Sequence, residues 1–160
     1  MNTKFCTIVT LLLASQVVAK TFSDSDFKGN YAWSLSGFFT QNVDPSFPPN
    51  GTTKQIGIYR PDGFGVLDPS PCKTIINGNR DTLFVGFLNG TYSVDVNGMI
   101  EINTTLFETG TELIISQASC RGVLANGQKL FQFFTVPPEV PEGFTLTIDQ
   151  FGSAVKQNDD

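Results

Sequence analysis

The chain of 160 residues contains no histidine. Without imidazole there is no Ser-His-Asp or Cys-His nucleophile system, no histidine-built metal site, and not the commonest general base. Cysteine is scarce: Cys6, Cys72 and Cys120 share no Cys-x-x-Cys spacing, which excludes the usual zinc and dithiol redox arrangements. No catalytic residue, metal or cofactor is therefore expected. Long apolar runs are also missing. The most apolar segment, Cys6–Ala14 around Leu11-Leu12-Leu13, falls short of the roughly 20 residues that span a bilayer. No stretch holds a helical period beyond about two turns, and none has the cap and apolar run of a helix. Charge is sparse and net acidic, with 10 basic and 15 acidic residues giving −5. An acidic surface argues against nucleic acid and anionic membranes as partners.

The first 19 residues have the form of a secretory signal peptide. Lys4 supplies the positive end, the leucines the apolar centre, and Val17-Val18-Ala19 the small residues before a cleavage at Lys20. The remaining 141 residues, 20–160, suffice for one domain with a single core, ordered over about 29–155. Losing Lys4 takes the formal charge from −5 to −6. The expected location is extracellular, and there Cys72 and Cys120, 48 residues apart, are expected to pair. Such a disulfide would contribute about 4 kcal/mol in the chain-entropy account. Three sequons follow, at Asn50, Asn89 and Asn103. In a eukaryote they mark a glycoprotein; in a chain this rich in Asn and Thr they also arise by chance.

What the chain has in abundance is β grammar. Thr91–Thr105 reads as a hairpin in which Tyr92, Val94 and Val96 alternate with polar residues, and Ile100 and Ile102 do the same beyond Asn97-Gly98. Asn-Gly is the dipeptide of a two-residue type I′ turn. Tyr31, Trp33 and Leu35 alternate in a first strand after Gly29, behind a polar lead-in, Lys20–Lys28. Lys54–Arg60 and Phe64–Asp68 flank Pro61-Asp62-Gly63, with Pro69-Ser-Pro71 ending the second of them. Lys73–Ile76 and Arg80–Leu88 flank an expected turn at Asn77-Gly78-Asn79, Asn89-Gly90 is expected to turn into the central hairpin, and Glu112–Arg121, Lys129–Val136 and Phe144–Phe151 supply further strands. Ile58–Leu67 and Val94–Ile102 repeat one strand–turn–strand plan. Tight Asx-Gly turns at 62–63, 97–98 and 126–127 make sequence neighbours spatial neighbours. The expectation is an all-β antiparallel meander of about eight strands, closed as an up-and-down barrel because closure removes edges. A β-sandwich is the alternative.

Gly29-Asn-Tyr31-Ala-Trp33-Ser-Leu35-Ser-Gly37, Asp62-Gly63-Phe64-Gly65, and Gly90-Thr-Tyr-Ser-Val94 with Asn97-Gly98 give the chain a resemblance to the small secreted calycin-type barrels, lipocalin-like and allene-oxide-cyclase-like. Lipocalins open on Gly-x-Trp, whereas here Tyr31 and then Trp33 follow Gly29 at intervals of two. The resemblance implies a barrel and transfers no catalytic or ligand residue.

Three functional classes remain. The first is a secreted binding protein holding a small apolar ligand among Trp33, Leu35, Phe84, Tyr92, Val94, Ile100, Ile102 and Phe133. Alternatively, those large side chains simply fill the barrel. A cavity above about 300 Å³ would favour the binder. The second is an enzyme using carboxylates, with Asp95, Glu101 and Asp149 as candidates; alternation points all three away from the apolar face. Cyclase or isomerase chemistry that mainly shapes its substrate needs few groups. The third is a monomeric surface or structural protein meeting an extracellular protein or polysaccharide through its faces and the loops Gln41–Thr53 and Val136–Gly143.

Overall fold

Period-two alternation of apolar and polar residues runs through eight segments, and each becomes a strand with one face turned inward. The computed structural model describes residues 20–43, 49–76, 83–110, 114–125, 127, 129–137 and 139–158, the backbone alone at 83, 84 and 115. The expected leader 1–19, the turn at 77–79 and Asn126 lie outside these. The strands are β1 (Tyr31–Gln41), β2 (Asn50–Tyr59), β3 (Val66–Ile76), β4 (Leu83–Val94), β5 (Met99–Glu108), β6 (Ile114–Ala125), β7 (Leu130–Val136) and β8 (Leu146–Lys156). Each pairs antiparallel with the next, and β1 closes on β8 from Tyr31↔Lys156 to Gln41↔Leu146. The result is the closed meander barrel; the sandwich is excluded. Among the described residues no helix is long and apolar enough to cross a membrane.

The central hairpin forms by a different turn from the one expected. Gly98 N–H donates to the Asp95 carbonyl at 3.0 Å, and Asp95 N–H to the Met99 carbonyl at 2.9 Å. The Asp95 carboxylate accepts from the N–H groups of Asn97 and Met99, and Gly98 has φ +83°. This is a three-residue loop with glycine at its left-handed position, not a two-residue type I′ turn. The difference fixes the register. A two-residue loop would set Val94 opposite Glu101; the longer loop sets Val94 opposite Ile100 and Tyr92 opposite Ile102, so apolar side chains share one face. Val96, expected to face inward, is spent in the loop and is 62% exposed. Asp62 builds the same turn, accepting from Phe64 and Val66 N–H while its own N–H donates to the Val66 carbonyl.

Two expected strand ends are not ends. β3 runs through Pro69 and Pro71: Pro69 falls in a register shift between Leu67 and Ser70, where the ladder bond a proline cannot make is not called for, and Pro71 stands opposite Phe87 in regular register. The Ser70 hydroxyl donates to the Ile58 carbonyl at this bulge. β4 runs straight through Asn89-Gly90, which is no turn. Gly90 is needed because a Cβ there would collide with the Asn103 carbonyl on β5.

One end of the barrel is plugged. The polar lead-in carries Phe27, fully buried against Tyr31, Tyr92 and Phe131 at ring separations of 4.7, 5.2 and 5.6 Å. Asp24 accepts from Val94 N–H at 2.6 Å, and Phe22 N–H donates to the Val96 carbonyl at 3.2 Å. Tyr92 ties plug to wall: its hydroxyl donates to the Phe27 carbonyl at 3.0 Å and accepts from Gly63 N–H at 2.8 Å. From Phe27 an aromatic column climbs the lumen through Phe131, Phe133, Tyr59 and Trp33, with successive centroids 4.9 to 6.0 Å apart. Rings at these spacings and tilts attract beyond simple area burial.

Candidate ligand cavity

Above the aromatic column the inward positions change character. Thr53 on β2, Thr74 on β3, Thr135 on β7 and Gln150 on β8 are all buried polar residues. The Thr135 hydroxyl donates to Gln150 Oε1 at 2.9 Å, and Gln150 Nε2 donates to the Thr53 hydroxyl. One glutamine thus bridges β7 to β2 and divides the lumen in two.

On the unplugged side of this bridge is a cavity of about 360 Å³. Phe39, Val43, Ile76, Leu146 and Ile148 supply apolar walls, while Gln41, Thr53, Ser116 and Gln150 supply the polar edge. The volume falls within the range typical of small-molecule sites. On the plugged side lies a chamber of about 60 Å³, walled by Trp33, Leu35, Tyr59, Cys72, Leu88 and Cys120, with Gln55, Thr74, Thr104, Leu106, Ala118 and Thr135 around them. Ser116 and Gln150 line both spaces. No charged side chain is among the described residues that line either.

Trp33 stacks on Tyr59 at 5.1 Å and 17° and lies across Gly57, where a Cβ would fall 2.7 Å from its Cζ2. Its Nε1 is sealed from solvent and has no hydrogen-bond partner among the described residues. Burial drives the Tyr59 hydroxyl well above its ordinary range, with the two neighbouring thiols adding to the effect. Burial also pushes Cys72 and Cys120 up to about 11 each, so both are neutral thiols. The chamber is a neutral, low-dielectric space.

The expected disulfide is corrected by this arrangement: Cys72 and Cys120 are free. They lie on β3 and β6, separated by β4 and β5. Three strand steps at about 4.8 Å each put them roughly 14 Å apart around the wall, whereas a disulfide needs Cα atoms within about 7 Å.

The residues expected to hold a ligand divide. Trp33 and Leu35 line the chamber. Tyr92, Ile100, Ile102 and Phe133 are buried in the core, with Tyr92 and its neighbours given over to the plug, and Val94 packs against that core half-buried. The Phe84 side chain lies outside the described residues. The residues that line the larger cavity were not singled out from the sequence. Their signal was available in Thr53, Gln41 and Gln150, polar residues that fall on the inward phase of strands whose other inward positions are apolar.

The carboxylates are scattered. Asp95 caps a turn, Glu101 pairs with Arg121 at 3.3 Å on the surface, and Asp149 faces outward on β8. No two of them face a common space as a glycosidase pair would. Asn50 and Asn103 are exposed and Asn89 half-buried, all three on the outward phase. Asn103 Oδ1 accepts from the Ser119 hydroxyl at 2.6 Å. The outer face of β1 and β8 carries Phe38 and Phe151, each about two-thirds exposed, with Ile56 and Phe134 on the flanking strands.

No family model, curated protein or solved structure matches the chain.

Proposed function

We propose that this is a secreted, non-enzymatic binding protein that takes a small, uncharged, largely apolar ligand into the unplugged end of its barrel. The observation that carries the reading is the 360 Å³ cavity walled by Phe39, Val43, Ile76, Leu146 and Ile148. Small barrels are either filled by side chains or hold one small ligand. Here, among the described residues, the plugged half is filled and the other half is not. The neutral walls favour an uncharged guest, because a buried ion without a partner is strongly disfavoured. The test is titration with a lipophilic fluorophore whose emission rises on leaving water. One saturable site is expected, and Ile148→Trp, which fills the cavity from β8, should abolish it. Absence of saturable binding, or binding indifferent to Ile148→Trp, refutes the reading.

A second reading has its own observation. Phe134 and Phe151 stand opposite each other on the outer face of β7 and β8, and Phe38 on β1 and Ile56 on β2 are exposed to either side of the Ser36–Lys54 pair that continues the row; exposed apolar groups gathered in this way mark an interaction surface. It predicts an extracellular partner lost on Phe38→Ser with Phe151→Ser, with fluorophore binding intact.

A further inference from the structure

Trp33, on the wall of the inner chamber, carries a buried Nε1–H that has no hydrogen-bond partner among the described residues. We propose that the chamber is the head-group subsite of the barrel, and that its ligand is a neutral amphiphile carrying a carbonyl oxygen which accepts a hydrogen bond from Trp33 Nε1–H. The inference rests on the binding reading above and deepens it by naming the ligand's chemical class.

Four observations converge. Trp33 is 6% exposed, and its Nε1 is buried without a partner among the described residues. An indole N–H is a donor only, so its complement must be an acceptor. Leaving such a donor buried and unsatisfied is costly, which is why nearly all are paired in folded proteins. The chamber at Trp33 has about 60 Å³ of room, enough for a carbonyl group or for one or two waters. It adjoins the larger cavity, since Ser116 and Gln150 line both. A ligand could therefore place its hydrocarbon body against Leu146 and Ile148 and its oxygen beside Trp33.

The chemistry of the walls narrows the head group. A carboxylate would need a cation, and neither lining contains one among the described residues. An ammonium would need an anion, equally missing there. A hydroxyl could accept from Nε1 but brings a donor that would itself need a partner. A ketone, ester or aldehyde oxygen accepts and asks for nothing else. The Thr53–Gln150–Thr135 bridge stands between the two spaces, so the Gln150 side chain must turn aside for one ligand to span them.

Trp33 is the only tryptophan, so its indole gives a single, unambiguous resonance in a ¹H–¹⁵N spectrum. The probes are methyl octyl ketone, decane and decanoate, titrated into the whole secreted chain at neutral pH. The ketone is expected to bind about tenfold more tightly than decane and more tightly than decanoate, and to move the indole proton downfield. Decane should bind without that downfield shift. Trp33→Phe should abolish the preference for the ketone over decane. Equal binding of ketone and decane, or an unmoved indole proton, overturns the chamber as a head-group site and means that water alone serves Nε1; the binding reading then survives. Failure of both ketone and decane to bind overturns the two together. If Trp33→Phe does not fold, the indole resonance of the unaltered protein still decides between these outcomes.

Discussion

Replacing Phe27 with alanine tests whether the segment ahead of β1 is structural. Phe27 is fully buried and touches the rings of Tyr31, Tyr92 and Phe131. Deleting a buried phenyl ring removes its transfer free energy and leaves a void that the surroundings fill only in part. Together these cost about 3–5 kcal/mol. The closed wall limits collapse around the void, and the Tyr92 hydroxyl bonds to the Phe27 carbonyl would be loosened as well. For a domain of this length the loss corresponds to a fall in Tm of about 10 °C. Urea unfolding followed by tryptophan emission measures it, with Phe38→Ala as the control. Phe38 is two-thirds exposed on the outer wall, so its removal should change stability by no more than about 0.5 kcal/mol. A Phe27→Ala loss as small as that of Phe38→Ala would refute the plug and return residues 20–28 to the status of a loose lead-in.

Other consequences follow from the same structure. Cys72 and Cys120 should resist an aqueous thiol reagent in the folded protein and both react after unfolding; a mass deficit of two hydrogens before reduction would contradict the free pair. Gln150→Leu removes the acceptor for Thr135 and the donor to Thr53, and should cost about 1–3 kcal/mol in a melt; no loss would mean that the bridge is ornamental. Asp62 and Asp95 are held below the usual carboxylate range, chiefly by hydrogen bonds from Phe64 N–H and Met99 N–H respectively. A group with a depressed folded pKa stabilises above its unfolded value and loses that contribution as pH falls through its folded one. Stability should therefore be level down to about pH 5 and decline below about pH 4, and Asp62→Asn with Asp95→Asn should flatten that decline in an acid titration.

The barrel was legible in the sequence because two local signals agreed. Alternation assigned faces to the strands, and short Asx-Gly turns forced neighbours to pair in order. Details failed where one residue served two purposes. Asn97-Gly98 looked like a complete turn, yet Asp95 captures the backbone and enlarges the loop, which moves the register by one. Pro69 and Pro71 read as a strand end because a proline lacks the ladder donor, but a bulge tolerates that loss at Pro69, and Pro71 keeps regular register. Asn89-Gly90 read as a turn, yet the glycine is there so that β4 and β5 can approach. Phe27 was hidden in a polar stretch, since two phenylalanines five residues apart, Phe22 and Phe27, fit neither a strand nor a helix period.

The candidate site was less legible than the fold. The sequence identified Trp33 and Leu35 as inward, and both line a cavity. It did not distinguish the filled half of the barrel from the unfilled half, because that depends on which end the chain plugs. The disulfide expectation came from composition and presumed location; the separation of β3 from β6 around the wall follows only from the closed strand order.

The most direct test of the central claim is native mass spectrometry of the protein isolated from its own source. One small neutral adduct per chain is predicted, lost on denaturation and absent from Ile148→Trp. A chain that carries no such adduct, and takes up none when offered neutral carbonyl amphiphiles, would contradict the ligand-binding account.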